Sequence, residues 1–372
     1  MVTILFFWLA APDIDVPRPC DMGLQGCFHI IGLWTVGTFG ECFHEQIGFL
    51  LGQGRGFKKV AMQFHWNNPQ LKPDYVDSSG MVLHLTKNKR THNAGVLQVG
   101  QNNIQLAPGV EKITVEGSCT PDMSRLRLTG PIHFTTGFNH MHYLGRAMNM
   151  EHIRNGAKLR DLTMDEVYSY DSPVIHNYAE SIRFEPGDEI KTSCHFKTTE
   201  RSKTVFQGDG TNDEMCYGFL TYYPAENMRN PYCIQWRGLD SSIFYYQETI
   251  NGCVWQDFLN TSIPTTQALH TRVLSHCSHL GLCLKECVSV IKEAKQHPCL
   301  QGDMHEYFRT VAREDGVKNA QLALLFSALD SCDTEMALES CPKPVTDPTS
   351  TSSTLQFSVF WIGAASILRF IM

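Results

Sequence analysis

The sequence has no excess of positive charge. Its 372 residues carry 31 Lys and Arg against 38 Asp and Glu, a formal net charge of -7, and no basic patch stands out. Because nucleic-acid binding relies on clustered cations to neutralise phosphates, this balance excludes nucleic acid from the expected partners. Residues 1–18 begin with an apolar run, Val2 to Ala11, that no basic residue precedes. This segment is either a weak signal-peptide core or an alternative start joined to the rest.

Cysteine, in contrast, is abundant. Fourteen Cys residues and a glycosylation sequon at Asn260 predict the oxidising secretory pathway. At the other end of the chain, residues 355–372 are mostly apolar, are interrupted by Arg369 and follow a Pro/Ser/Thr-rich stalk, residues 342–354. The segment is near the lower length limit for a spanning helix. We expect a membrane anchor there, either a spanning helix or a lipid-anchor signal that is later removed.

The spacing of apolar residues predicts two kinds of structure. From residue 20 to about residue 250, short apolar runs are separated by Gly, Pro and Asn turns, a pattern that favours an antiparallel β-sandwich. Residues 265–295 and 303–329 have apolar residues at helical spacing and are predicted to be helices. The fold class predicted from the pattern is therefore mainly β with a helical C-terminal region.

His140-Met141-His142 is the most informative motif, together with Met215 further along the chain. On a strand, His140 and His142 point to the same face, so both imidazoles can reach one point. A thioether is a soft donor that suits Cu(I) better than Zn²⁺, so the set is interpreted as a copper site. By spacing alone, a chance His-x-His and a Met of the core are the more common explanation.

The residues around this motif resemble a known family. Gly130-Pro131-Ile132-His133-Phe134 and the segment from His140 to Arg146 are similar to the first signature of the copper type II ascorbate-dependent monooxygenases. Asp213-Glu214-Met215-Cys216 is similar to the second. Further resemblances, in the order of the family, occur at residues 64–69, 77–80, 93–95, 186–194 and 222–224.

The resemblance implies a fold and its boundaries. The family has tandem jelly-roll β-sandwiches. Residues 19–104 resemble part of the first, which is incomplete in this chain, and residues 105–238 resemble the second. After about residue 239 the resemblance fades, and the residue pattern predicts that residues 239–341 form a Cys-containing, partly helical extension that precedes the stalk and the anchor. Relative to the family, the chain is expected to be truncated at its amino-terminal side.

Individual residues take their expected roles from the resemblance. His140, His142 and Met215 correspond to the copper ligands of the oxygen-activating site, with His140 as a catalytic residue. His65 corresponds to one ligand of the electron-entry copper site. The other two ligands of that site are an adjacent His pair in the family, and the sequence contains no His-His dipeptide. The implied disulfides are Cys119–Cys233 and Cys194–Cys216. Cys20 and Cys27 are either unpaired or bonded to each other or to Cys42.

The resemblance implies an activity, with one alternative. The family hydroxylates a C–H bond with O₂, copper and ascorbate as electron donor. Phe138 stands where the peptide-hydroxylating branch has an Arg, and a phenyl ring cannot bind a carboxylate in a bidentate manner. A small amine-like substrate with an aryl group is therefore expected. The alternative is a membrane-tethered copper-binding or interaction protein without catalysis, because the electron-entry site has only His65.

A second cluster of potential metal ligands lies near the C-terminus. His276, His279, Cys283 and Cys287 would follow one stripe of a continuous helix. Four residues spread over three helical turns cannot surround one ion, so a tetrahedral zinc site is not expected there. We instead expect disulfides from Cys277, Cys283, Cys287 and Cys299 to neighbouring elements.

Overall fold

A computed structural model of the chain describes residues 2–8, 29–52, 59–314 and 319–340, apart from positions 36, 39, 41, 67, 69, 77 and 79. Two compact units can be distinguished. Unit 1 comprises Met1–Leu259 and Pro298–Phe308, and unit 2 comprises Asn260–His297 and Arg309–Met372. The predicted Cys20, Cys27, stalk and anchor positions lie outside the described residues.

Unit 1 contains the strands of the described chain. They are β1 (Val2–Trp8), β2 (His29–Trp34), β3 (Ile47–Gly48), β4 (Lys59–His65), β5 (His92–Asn93), β6 (Gly95–Gln101), β7 (Gln105–Leu106), β8 (Ile113–Cys119), β9 (Ile132–His140), β10 (Gly145–Arg154), β11 (Ala157–Asp165), β12 (Ile175–Phe184), β13 (Glu189–Phe196), β14 (Val205–Phe206), β15 (Tyr217–Tyr223), β16 (Tyr232–Trp236), β17 (Leu239–Asp240), β18 (Thr249–Ile250) and β19 (Cys253–Val254). The helices that lie wholly in unit 1 are α1 (Pro121–Arg127), α2 (Ile243–Tyr246) and α3 (Trp255–Leu259).

Two facing sheets form the sandwich that the sequence pattern predicts. One has the order β12-β9-β15-β6-β16-β17 and the other has the order β11-β10-β13-β8. Apolar side chains alternate along the strands, so each sheet presents one row to the other. Leu97 and Leu220 of the six-stranded sheet share a buried cluster with Met150 and Ile190 of the four-stranded sheet. This core fixes the frame on which the candidate site lies.

Two disulfides join the sheets of the sandwich. Cys119 of β8 is bonded to Cys233 of β16. Cys194 of β13 is bonded to Cys216, the residue before β15. Both pairs are those implied by the resemblance, and each links the four-stranded sheet to the six-stranded sheet. A third bond in unit 1 joins Cys253 to Cys299.

The part of unit 1 before β6 is smaller. β1 lies between β2 and β4 in a three-stranded antiparallel sheet, so the apolar start of the chain forms a strand in this structure. β3 and β5 form a short parallel pair. β6 itself lies between β15 and β16 in the sandwich, although the sequence boundary at residue 104 assigned it to the first domain.

Unit 2 is helical and includes α4 (Pro264–His276), α5 (Cys287–Ala294), α7 (Ala320–Asp330) and α8 (Asp333–Ser340). α6 (Gly302–Glu314) begins in unit 1 and ends in unit 2. The prediction of one helix over residues 265–295 is wrong, because a loop closed by the Cys277–Cys287 disulfide separates α4 from α5. The helix predicted over residues 303–329 is likewise divided into α6 and α7.

No helix within the described ranges is long and apolar enough to cross a membrane. Residues 355–372, where the sequence predicts the anchor, fall outside those ranges.

Candidate metal centre

The end of β9 and the start of β15 bring the predicted ligands to one region. These two strands are antiparallel neighbours, with Phe138 opposite Phe219 and His140 opposite Tyr217. Because alternate residues share a face, Phe138 and His140 lie on the same side of the sheet. Two residues beyond His140 and two residues before Tyr217, the chain carries His142 and Met215. Pairing of β9 with β15 thus brings together the His140–His142 motif and Met215, which are far apart in the sequence.

The two predicted imidazoles are neighbours in a buried environment. The ring centroids of His140 and His142 are 5.4 Å apart and the rings are nearly perpendicular, at 84°. Their exposed fractions are 4% and 3%. Met215 is also 4% exposed and belongs to the same buried cluster as Tyr217 and Phe219. All three predicted donors are therefore shielded from water.

The backbone fixes the tautomer of His142. Its Nδ1 lies 2.9 Å from the carbonyl oxygen of Asp213, which can only accept a hydrogen bond. Nδ1 therefore carries the proton, and Nε2 keeps the lone pair that a metal would use. Burial lowers the pKa of His142, with the Asp213 carbonyl acting in the opposite direction. The neutral form that this favours is the form that binds metals.

Glu214 connects the two ligand segments. Its carboxylate accepts hydrogen bonds from the backbone N–H groups of His142, at 2.8 Å, and Leu144, at 2.6 Å. The side chain is fully buried. Burial raises the pKa of Glu214 to about 7, while the N–H groups of Leu144, His142 and Met215 act to lower it. One acidic residue thus determines how the chain after β9 lies against the chain before β15.

Met215 is held from both sides along the chain. Its preceding neighbour, Glu214, makes the hydrogen bonds to the segment after β9. Its following neighbour, Cys216, is bonded to Cys194 of the facing sheet. Consecutive residues of an extended chain face opposite ways. Because Cys216 is directed towards its disulfide with Cys194, the thioether of Met215 is directed away from that disulfide.

Two tyrosines that the sequence analysis missed complete the surroundings. The Tyr168 hydroxyl accepts a hydrogen bond from Met141 N at 3.0 Å and donates one to Met141 O at 2.6 Å, which fixes the backbone between the histidines. The Tyr170 ring centroid lies 6.3 Å from that of His140 and 5.7 Å from that of His142. Burial raises the pKa of Tyr170 to about 12. The alternation Tyr168-Ser169-Tyr170 was the available signal, since it puts both rings on one side of an extended segment.

A small pocket lies next to His140. The Phe138 and Phe219 ring centroids are 6.5 Å and 6.3 Å from that of the His140 imidazole, and both phenyl rings line the pocket. Ile30 and Leu33 of β2 contribute further apolar lining. The pocket offers about 40 Å³ to water-sized groups, and none of the described residues that line it is charged. An apolar group placed there would have one end near the candidate site.

The other predicted residues belong to other elements of the chain. His65 is the last residue of β4, where its backbone pairs with Val2 of β1. Asn260 is exposed just before α4, and its side-chain oxygen accepts a hydrogen bond from Ser262 N at 3.0 Å. In unit 2, Cys277 is bonded to Cys287 and Cys283 to Cys332. The described residues contain no group of three or more His, Cys, Asp or Glu that could hold a metal.

The donor set can be tested for its fit to copper. Two imidazoles, one with its Nε2 freed by the Asp213 carbonyl, suit Cu(I) or Cu(II). A thioether adds a soft ligand that favours the reduced ion. Both oxygens of Glu214, the buried carboxylate beside Met215, accept backbone hydrogen bonds. The residues therefore fit copper.

Comparison with known proteins agrees with the donor set. Residues 92–241 match the family model of the copper type II ascorbate-dependent monooxygenase C-terminal domain. The chain is similar to MOXD1 homolog 1 of Drosophila melanogaster, with 31% identity over 59% of this chain and 31% of the relative.

Two further relatives give similar values. DBH-like monooxygenase protein 1 of Gallus gallus is 32% identical over 54% of this chain and 34% of the relative. Dopamine beta-hydroxylase of Homo sapiens is 28% identical over 59% of this chain and 37% of the relative. The chain thus spans about a third of the length of these relatives.

Proposed function

We propose that this chain, which belongs through residues 92–241 to the copper type II ascorbate-dependent monooxygenase family, hydroxylates a C–H bond of a small amine-like substrate with O₂. His140, His142 and Met215 would hold the copper, and ascorbate would donate the electrons. The observation that carries the proposal is the pair of buried imidazoles, 5.4 Å apart, with Glu214 holding the Met215 segment against them.

The reaction balances as one O₂, two electrons and two protons added to the C–H substrate, giving the hydroxylated product and water. Copper, when bound, would supply electron transfer to O₂ and its activation. The residues of the chain orient the ligands and exclude water. Exposed fractions of 4% and 3% at His140 and His142 mean that little bulk water reaches them, which protects reactive oxygen species from side reactions.

The pocket beside His140 supports a substrate with an apolar end. Phe138 and Phe219 would contact an aryl group, and aromatic rings favour such contacts. No charged side chain among the described lining residues could pair with an ammonium group. An amine of the substrate would therefore remain at the mouth of the pocket, with the aryl group inside and the C–H bond near His140.

The five disulfides support a location in the secretory pathway. In this proposal residues 355–372 attach the chain to a membrane, and Asn260 carries a glycan on the luminal or extracellular side. The exposure of Asn260 is compatible with that modification.

A second candidate function is copper binding without turnover. The 372 residues contain no His-His dipeptide to accompany His65, so the electron-entry site would keep one of three imidazoles. A single imidazole binds copper weakly, and one copper can deliver one of the two electrons that O₂ activation needs. This observation favours a copper-binding or interaction protein as the alternative.

Copper stoichiometry with O₂ uptake distinguishes the two functions. Purified chain is loaded with copper, the excess is removed, and the metal is counted by mass spectrometry. Ascorbate-dependent O₂ consumption is then measured with phenethylamine-type substrates. Hydroxylated product supports the monooxygenase. One bound copper without product supports the alternative. A Met215→Ala chain that binds as much copper as the wild type would contradict both.

A further inference from the structure

The loop between α4 and α5 in unit 2 exposes three leucines. Leu280, Leu282 and Leu284 have exposed fractions of 77%, 64% and 47%. They alternate over five residues, with Gly281 in a left-handed conformation, φ 80°, between the first two. Single exposed leucines are common at protein surfaces, but three of them this close together form an apolar patch of the kind that marks interaction sites.

The loop cannot easily fold these leucines inward. The Cys277–Cys287 disulfide closes its base, and Cys283, between Leu282 and Leu284, is bonded to Cys332. The Ser327 hydroxyl also donates a 2.7 Å hydrogen bond to the carbonyl oxygen of His279. These three ties fix the loop to α7 and to the start of α8. A loop held in this way keeps its apolar side chains in water unless a partner covers them.

The part of the chain that follows α8 indicates which partner is near. α8 begins at Asp333, directly after the Cys332 that is bonded to the loop, and ends at Ser340. Residues 341–354 then precede the apolar residues 355–372. Fully extended, a connection of that length reaches about 50 Å. A membrane that takes up residues 355–372 would therefore be within reach of the loop.

We propose that the loop of Leu280, Leu282 and Leu284, named here the leucine loop, inserts into the interfacial region of the lipid bilayer to which residues 355–372 attach the chain. One weak membrane signal gives only marginal, reversible binding, and stable attachment takes two. Tethering raises the effective concentration of the loop at the bilayer, so even a small apolar patch is then bound. Lys285 adds a cation beside the patch, and Glu286 offsets it, so the attraction is apolar and insensitive to lipid charge.

The test uses tryptophan substitutions in the full-length chain. Leu282→Trp reports on the leucine loop, and Leu126→Trp, at the same exposed fraction of 64%, is the matched control on α1 of unit 1. Each chain is mixed with phosphatidylcholine vesicles whose acyl chains are brominated. The emission of the wild-type chain under the same conditions, which comes from its six Trp residues, is subtracted from that of each variant. We expect the emission added by Leu282→Trp to be lost in brominated vesicles and that added by Leu126→Trp to be retained.

Each other outcome overturns the proposal. If the chain floats with vesicles but Leu282→Trp is not quenched, another surface faces the lipid. If the chain does not bind vesicles at all, neither segment is a membrane signal. If the patch instead mediates concentration-dependent self-association in ultracentrifugation, abolished by Leu280→Ser with Leu284→Ser, its partner is a second copy. Peptide mapping without reduction confirms that each variant keeps Cys277–Cys287, so misfolding is detected separately.

Discussion

The carboxylate of Glu214 accepts a hydrogen bond from the backbone N–H of His142 at 2.8 Å, in a site without solvent exposure. Glu214, the residue before the predicted ligand Met215, thus holds the backbone of the predicted ligand His142. Groups that orient metal ligands contribute to metal affinity, which falls when they are mutated. The geometry of the candidate site therefore depends on Glu214 as well as on the three donors.

Replacing Glu214 tests this dependence. Glu214→Gln keeps one accepting oxygen for the N–H groups of His142 and Leu144 and puts an amide N–H₂ where the second oxygen was. We expect copper affinity to fall by a factor of about 10–100, as for other groups that orient ligands. Competition with a chromophoric chelator measures the change. Glu200→Gln, at an exposed position, should leave copper affinity as it is in the wild type.

Tyr168→Phe should weaken both stability and metal binding. The change removes the hydroxyl that pairs with Met141 N and Met141 O, and it leaves two buried backbone groups without that partner. An unpaired buried polar group costs roughly 1–3 kcal/mol, which urea unfolding would detect. Tyr143→Phe removes a hydroxyl that is bonded to Asp171 at an exposed position, and we expect it to change stability little. Equal effects of the two substitutions would contradict the account.

The two sheet-joining disulfides should have different effects when removed. Cys119 and Cys233 are 114 residues apart, and Cys194 and Cys216 are 22 apart. Loop-closure entropy predicts about 5 kcal/mol for the longer loop and about 3 kcal/mol for the shorter. Removing Cys119–Cys233 with paired Ala substitutions should therefore cost more stability.

Copper affinity should show the opposite order, because we expect removal of Cys194–Cys216 to lower it more than removal of Cys119–Cys233 does. Cys216 is adjacent to Met215, so removing Cys194–Cys216 frees the segment that carries the predicted thioether ligand. Calorimetric unfolding and copper titration of both double variants test this crossover. If the Cys119–Cys233 variant lost more copper affinity than the other, Met215 would not be positioned by its neighbouring disulfide.

Acidification should destabilise the sandwich through His152. Burial lowers the pKa of His152 below its usual 6.5, although its hydrogen-bonded partner Asp188 acts to raise it. The unfolded chain then binds a proton that the folded chain does not, so stability is lost as the pH falls from 6.5 towards the folded pKa. His152→Gln keeps an N–H donor for Asp188 and removes the titration. Its melting temperature should fall less than that of the wild type from about pH 7.5 to about pH 5.5.

Much of the site was predictable because the side chains of a β-strand alternate between its two faces with a period of two residues. The alternation of His140 and His142 on a strand follows from sequence spacing, and so does the opposite direction of Met215 and Cys216. The family resemblance supplied the pairing between the two motifs. The boundary at residue 104 was taken from the resemblance and assigned β6 to the other domain. The strand itself could not correct it, because a run of residues buried on both faces carries no information about its neighbours.

Other parts of the structure depend on contacts that no local pattern reveals. Glu214 and Tyr168 act on backbone groups about 72 and 27 residues away along the chain. The break between α4 and α5 follows from the Cys277–Cys287 bond, whereas the apolar spacing continues through the loop and so predicted one helix. Residues 265–295, including the leucines of that loop, were assigned to a helix from the sequence, so their exposure was not predicted.

X-ray absorption spectroscopy of the Cu(I)-loaded chain tests the central claim most directly. We expect two nitrogen scatterers from His140 and His142 and one sulfur scatterer from Met215, with the sulfur contribution absent in Met215→Leu. His65→Ala should leave the spectrum unchanged. A wild-type spectrum without sulfur, or one that Met215→Leu does not alter, would show that copper is bound elsewhere and that the candidate site is not the metal centre.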